Sequence, residues 1–339
     1  MIESRINNPS AISASRVRDI LQAGGTPTIQ FSEPFYTPAL LREVNQLCVE
    51  FEDQLEVRFY GHYSTGLFDA QTLIHLPDVQ WLSMDCLTAI RNEQEIGGLT
   101  KLTKLGFGVF EFDRADFLAT LPLGGLRRLV LGENRKRNLD LTPLGGADGL
   151  RTLFLNGHAM HLEAIARLSK LSELSLSGMR KTRKFCFISE LKSLHSLKLY
   201  LGSRESIDEV SHATLEELGI FRVRGLQRLG PLHRFPSLHR LAVEDQLQLR
   251  QIDVSGVPLQ RLRLINCKKL EEIVGLDELR LLQEFRTART SLDLDLLRDR
   301  PWPPSLRILA LYKRSEAWNE ATRRKLEGRG YREFTDWAG

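Results

Sequence analysis

LQRLRLINCKKLEEIVGLDELRLLQEF, residues 259–285, holds the pattern on which the fold turns. Leu259, Leu262 and Leu264 form an LxxLxL, and a second copy opens at Leu282. Outward from this stretch, the first leucine-type position falls at Val79, Leu102, Leu126, Leu150, Leu171, Leu194, Leu215, Leu238, Leu259, Leu282 and Leu306, in steps of 21 to 24 residues. Such regularity marks a solenoid of stacked repeats, so function is expected on an extended surface and not in a buried active site. Within each copy the fourth and sixth positions share one face of a short strand and the third, fifth and seventh share the other. In the repeat from Leu194 this puts Leu197 and Leu199 inward and Ser196, Lys198 and Tyr200 outward. Leucines spaced by three precede each strand, as in Ile188, Leu191, Leu194, Leu197 and in Leu276, Leu279, Leu282, Phe285. They predict a tight helical turn on the opposite wall. Burying one such leucine is worth roughly 1.5 to 3 kcal/mol, and no repeat can bury its own set, so neighbours must stack.

From about Leu55 to Leu311 the chain resembles the leucine-rich-repeat family. The family's Asn or Cys three residues past the last strand leucine is matched in LVLGEN (Leu129 to Asn134) and in LRLINC (Leu262 to Cys267). His158, Met179, Gly202, Val223, Gln246 or Thr290 takes that place elsewhere. The run CxxLxxIxxLxxL after the strand at Leu262 resembles the intracellular repeats of plant immune receptors and many bacterial proteins. The resemblance implies a curved right-handed α/β solenoid, with a parallel concave sheet and short helical or 3-10 turns on the convex side. At about 4.8 Å per strand the stacked sheet is expected to run roughly 50 Å.

Composition agrees with a long continuous core: 339 residues, 42% hydrophobic and 27% charged. Forty-seven basic against 43 acidic groups leave +4, which argues against an obligate nucleic-acid binder without removing a local basic patch. No apolar run reaches membrane-spanning length, and MIESRINNPSAISAS carries charges and asparagines where a secretory signal needs an apolar core. Cys86, Cys186 and Cys267 fall four strand spacings apart, roughly 19 Å, too far to pair. Free thiols fit a reducing compartment, and a cytoplasmic location is expected. The alternative is export without a classical signal.

Three segments are expected. Residues 1–50 form an N-terminal flank and helical cap, 51–314 the solenoid of about 11 to 12 repeats, and 315–339 a C-terminal helical cap. Thr37 and Pro38 read as helix N-cap and first turn. Leu40, Leu41, Val44, Leu47, Cys48 and Phe51 make one apolar stripe, expected to cover a degenerate first strand, LEVRF (Leu55 to Phe59). A short helix is expected from Arg16 to Ala23, ended by Gly24 and Gly25. Its Ser/Asn-rich flanks read either as disordered or as an export signal. Ser315 opens a helix through Trp318 and Leu326, with Tyr331, Phe334 and Trp337 sealing the last repeat.

Catalytic constellations are nearly absent. His161 and Glu163 form an HxE without a downstream PCxxC, GFGVFE (Gly106 to Glu111) lacks the third glycine of a dinucleotide fingerprint, and no Cys/His spacing suits zinc. Neither catalysis, cofactor nor metal is expected. The outward strand positions instead run from small early residues (Gly106, Gly108, Gly132) to Phe154, Tyr200 and Phe221. Tyr200 and Phe221 hold equivalent positions in adjacent repeats, about 5 Å apart, a stacking distance. These aromatics either cover sheet backbone or anchor a protein partner, with polar steering by Lys198, Arg222, Arg263 and Arg286. A second basic set, Arg135, Lys136, Arg137, Arg180, Lys181, Arg183, Lys184, Lys268 and Lys269, occupies the turns after the strands, forming a basic edge. Arginine forks suit carboxylates or phosphates, so nucleic acid or a phospholigand is the alternative partner there. An exported effector engaging host proteins is a third reading. A monomer is favoured.

Overall fold

The computed structural model describes residues 3–333, and the aromatics Phe334 and Trp337 lie outside the described residues. The chain divides into two compact units, one running to Leu171 and the other starting at Ser172. In the first unit the sheet runs β1 (Arg5–Asn7), β2 (Thr28–Phe31), β3 (Glu56–Tyr60), β5 (Trp81–Leu87), β7 (Lys104–Val109), β8 (Arg128–Leu131) and β9 (Thr152–Asn156). Every pairing in it is parallel. β4 (Leu67–Asp69) and β6 (Ala89–Arg91) pair separately, away from that sheet. In the second unit β10 (Glu173–Ser177), β11 (Ser196–Tyr200), β12 (Glu217–Phe221), β13 (Arg240–Glu244), β15 (Arg261–Ile265), β17 (Glu284–Ala288) and β18 (Ile308–Tyr312) follow one another in parallel. β14 (Gln251–Asp253) and β16 (Glu272–Val274) form its accessory pair.

The leucine pattern sets the register. Leu197 lies opposite Leu174 on one side and Leu218 on the other, and Leu199 lies between Leu176 and Ile220. All six are essentially buried, from 0% to 3% exposed. The three-residue spacing before the strands emerges as 3-10 turns, such as Leu162–Arg167 and Cys186–Glu190. Three residues per turn place Ile188, Leu191 and Leu194 in one column, and each is fully buried.

The N-terminal segment departs from the expected simple cap. β1 and β2 extend the sheet beyond LEVRF, so the first 50 residues add strands of their own. The helix α1 (Ala14–Gln22) between them starts two residues before the expected Arg16 and buries Val17 and Ile20. The helix α2 (Pro38–Phe51) has the foreseen boundaries, with the Thr37 hydroxyl accepting from the Leu40 N–H and the whole apolar stripe buried. The helix α3 (Leu294–Asp299) lies between β17 and β18, and α4 (Glu316–Gly328), capped by Ser315, follows β18.

Some of the turns that lack the family's asparagine bond backbone groups through another side chain at that place. Asn134 donates to the Phe112 and Arg137 carbonyls and accepts from the Lys136 N–H. At the corresponding place His158, only 2% exposed, shares a 2.8 Å bond with the Gly132 carbonyl and accepts from the Leu139 N–H at 3.2 Å. Gln246 donates to the Glu244 carbonyl at 2.7 Å, and the Cys267 thiol lies 3.5 Å from the Val243 carbonyl. Burial pushes that thiol up to about 12, so it stays protonated and inert.

Candidate functional site

The second unit's open sheet face is built from the residues that alternate with the buried leucines. Tyr200 and Phe221 meet in register, with ring centroids 4.9 Å apart and planes 14° from parallel. The sequence brings this pair together because the repeat period fixes the register. Phe221 folds back over Gly219: a Cβ at Gly219 would sit 2.5 Å from the ring, so only glycine leaves it room. Both rings are half-buried. Phe154, the third aromatic of the set, lies on β9 of the first unit, where it pairs in register with Val130.

The cations assigned to steering are held in ion pairs. Lys198 contacts Glu217 at 3.0 Å, Arg263 contacts Glu244 at 2.9 Å, and Arg286 contacts Glu284 at 2.5 Å. Arg286 is 8% exposed, which withdraws it from the surface. Burial raises the Glu244 carboxyl even with Arg263 beside it. Arg222 stands just past its strand, pairs with Asp245 at 3.1 Å and keeps 71% of its side chain exposed. Of the four it is the most accessible. The face around the stacked rings is therefore largely neutralised by its own residues.

The first unit's open face carries a different feature. Gly106, Gly108 and Gly132 leave a hollow of about 130 Å³ between Trp81 and Val130, with Arg128 on its lining. The bare floor explains itself: a Cβ at Gly132 would come within 2.9 Å of the Gly108 Cα. The bidentate pair of Arg58 with Asp85 and the Lys104 ammonium 4.5 Å from the Trp81 ring centre stiffen one side. Among the described residues the most exposed aromatics lie elsewhere, Phe35 and Tyr63 at 76% and 74%, on the turns after β2 and β3. Sequence reasoning missed them because that region falls outside the regular repeats.

The basic edge divides by charge balance. In the first unit Arg135 lies over the Phe110 ring, Lys136 lies 3.4 Å from Glu111, and Arg137 lies 3.0 Å from Asp113. In the second unit Arg180, Lys181, Arg183 and Lys184 are all exposed. No ion pair holds them among the described residues. That turn rests on Arg204, which donates to the Arg183 carbonyl, pairs with Glu209 at 2.9 Å and stacks on Phe185. Lys269 reaches Gln248 at 3.0 Å, and Lys268 lines a separate cavity beside it. His161 of the HxE is taken by Asp140 at 2.8 Å, which holds that carboxyl down at about 2. No group of three or more His, Cys, Asp or Glu is placed to hold a metal ion among the described residues. No helix among them is long and apolar enough to cross a membrane.

No family model matches the chain, and no curated protein matches it. Among solved structures it is similar to an internalin of Listeria monocytogenes, at 14% identity and a TM-score of 0.45, over 91% of this chain and 78% of that one. A leucine-rich-repeat protein of Leptospira interrogans gives 17% identity and a TM-score of 0.42, over 84% and 89% of the two chains. The leucine-rich-repeat domain of the type III effector XopL gives 20% and 0.38, over 88% and 86%. The repeat of 21 to 24 residues, the parallel in-register strands and the buried leucine columns settle the architecture from the chain itself. The chain folds as a leucine-rich-repeat solenoid.

Proposed function

We propose that this chain is a non-catalytic interaction module that binds a protein partner on its concave sheet face. The observation that carries the reading is the stacked pair of Tyr200 and Phe221. Two flat rings locked by stacking and by the contact over Gly219 lose little freedom on binding, and such preorganised aromatics dominate binding energetics. Neutralised pairs such as Lys198 with Glu217 surround the rings without a field that would repel either sign of partner. Phe154, on the open face of the first unit, is a proposed contact of its own, and in the second unit Arg222 is the cation best exposed for steering. The test is calorimetry on a partner recovered by pull-down. Tyr200→Ala and Phe221→Ala should each weaken binding by at least about 2 kcal/mol, non-additively because the rings touch. Unchanged affinity in both variants overturns the reading.

A second reading uses the basic edge for nucleic acid or a phospholigand. It is favoured by the exposed turn Arg180 to Lys184, which has four cations and no ion pair among the described residues. Charge reversal of Lys181 and Lys184 separates the two. Under the first reading it changes mainly the on-rate and the salt response; under the second it abolishes binding, and wild-type affinity falls steeply with salt.

A further inference from the structure

Three cations from successive repeats converge on one cavity in the second unit, off the strand residues of the proposed partner surface. Lys268 follows β15, Arg289 follows β17 and Arg314 follows β18, and together they line a basin of about 340 Å³. All three are exposed, and none has an ion-pair partner among the described residues. Lys313, a fourth cation on the lining, is already paired with Asp295 at 2.5 Å. No carboxylate lines the basin among the described residues, and with Asp295 offsetting Lys313 and Asp245 within electrostatic reach of Arg289 its charge is net positive. Its floor is apolar and aromatic, from the buried Leu292 and Leu294 and from Tyr312.

We propose that this basin binds a phosphate monoester, the phosphoryl oxygens held by Lys268, Arg289 and Arg314 and the organic body resting on Leu292, Leu294 and Tyr312. Charge and geometry together select the ligand class. A single carboxylate carries one charge and two oxygens, which cannot use three separated cations. A monoester carries about −1.5 to −2 at pH 7 and three acceptor oxygens, and guanidinium forks match those oxygens in pairs. The size lies at the low end of small-molecule sites, roughly 300 to 1,000 Å³. A nucleic acid would call for a track of cations along a groove, whereas these three face one basin.

The experiment uses the full chain and three probes, phenyl phosphate, inorganic phosphate and phenylacetate, titrated by calorimetry at low salt. Phenyl phosphate should bind, more tightly than inorganic phosphate, and phenylacetate should bind at least about tenfold more weakly than phenyl phosphate. Arg289→Asn and Arg314→Gln should each weaken phenyl phosphate about tenfold or more. Arg289→Asn keeps the turn foldable, because Arg289 has φ +55° and Asn266 adopts φ +54° at the equivalent place one repeat earlier. Lys192→Gln, a substitution remote from the basin, should bind like wild type. Binding should also weaken as pH falls past the monoester's second pKa of about 6. Absence of phenyl phosphate binding, or wild-type binding in both basin variants, overturns the site. Equal binding of phenylacetate overturns the phosphoryl assignment, and equal binding of inorganic phosphate overturns the organic body.

Discussion

His158 ties stability to pH through two hydrogen bonds. Its ring is 2% exposed, and its Nδ1 accepts from the Leu139 N–H at 3.2 Å, so that nitrogen carries no proton. Nε2 then donates to the Gly132 carbonyl at 2.8 Å. These two partners flank the charged excursion that contains Arg135, Lys136 and Arg137, so the ring clamps the base of that turn. Burial lowers the His158 pKa below the ordinary 6.5, with the Gly132 bond pulling the other way. Below about pH 6.5 the unfolded chain therefore takes up a proton that the folded chain refuses. Stability is complete above 6.5 and falls as pH drops through the window between the unfolded and folded values. One such histidine contributes a slope of at most about 1.4 kcal/mol per pH unit. His62 and His212 are lowered by burial and add to the slope. His161, raised by Asp140, opposes it, since its stabilisation is present below 6.5 and lost above.

Two substitutions separate the bonds from the titration. His158→Ala orphans both partners, each worth about 1 to 3 kcal/mol when left unsatisfied, so the loss near pH 7.5 should be about 2 to 6 kcal/mol. His158→Gln can donate to one partner and accept from the other without titrating. It should lose less at pH 7.5 and show a shallower fall toward pH 5.5 than wild type. Urea denaturation followed by circular dichroism at several pH values measures both. An identical pH slope in wild type and His158→Gln would refute the neutral-clamp reasoning, as would a loss below about 1 kcal/mol in His158→Ala.

Two further outcomes follow from packing. Leu197 is fully buried between two repeats, so Leu197→Ala should cost about 2 to 5 kcal/mol. Lys198→Ala, one residue along and facing out, should stay within roughly 0.5 kcal/mol, and equal losses in denaturant titrations would mean the inward and outward phase is wrong. Gly202 and Gly256 have the same left-handed backbone, φ +70° and +69°, but a Cβ at Gly202 would lie 2.3 Å from the Met179 carbonyl oxygen while one at Gly256 meets nothing within 4 Å. Gly256→Ala should cost about 1 kcal/mol from backbone conformation alone and Gly202→Ala clearly more, and matching thermal melts for the two would contradict the steric account.

The parts legible in the sequence are those on which the repeat acts directly. Period fixes register, register fixes which leucines are buried, and the same register stacks Tyr200 on Phe221. β1 and β2 escaped because their signal is short: Arg5–Asn7 and Thr28–Phe31 alternate polar and apolar over only three and four residues, at or below the shortest window that marks a strand, and no LxxLxL repeat frames them. The ion pairs escaped for another reason. Whether Arg263 points at Glu244 or at solvent depends on rotamers of long side chains, which spacing does not encode. The basin of Lys268, Arg289 and Arg314 was hidden by the repeat itself. Its three cations sit two, zero and one residues past the turn positions of Asn266, Arg289 and Lys313, so no alignment of repeats superimposes them.

The turns also explain how one fold carries such varied chemistry at its rim. In the second unit the residue after the strand adopts a left-handed backbone at Gly178, Leu201, Arg222, Asp245, Asn266 and Arg289. For a side-chain-bearing residue this conformation costs roughly 1 to 2 kcal/mol, which would select glycine throughout if nothing opposed it. The N–H of that residue, however, reaches the last carbonyl of the next strand: Leu201 to Phe221, Arg222 to Glu244, Asp245 to Ile265 and Asn266 to Ala288, all between 2.8 and 3.0 Å. Each bond lengthens the parallel ladder by one rung and returns about 0.5 to 1.5 kcal/mol, close to what the conformation costs. Gly178 makes the same bond, to the Tyr200 carbonyl at 2.9 Å, so the ladder holds this conformation for every residue while glycine keeps an advantage of about 1 to 2 kcal/mol, one the buried core can absorb. Leucine, arginine, aspartate and asparagine succeed one another there while the leucine columns beneath stay uniform, so binding chemistry can change at the rim without disturbing the core that positions it.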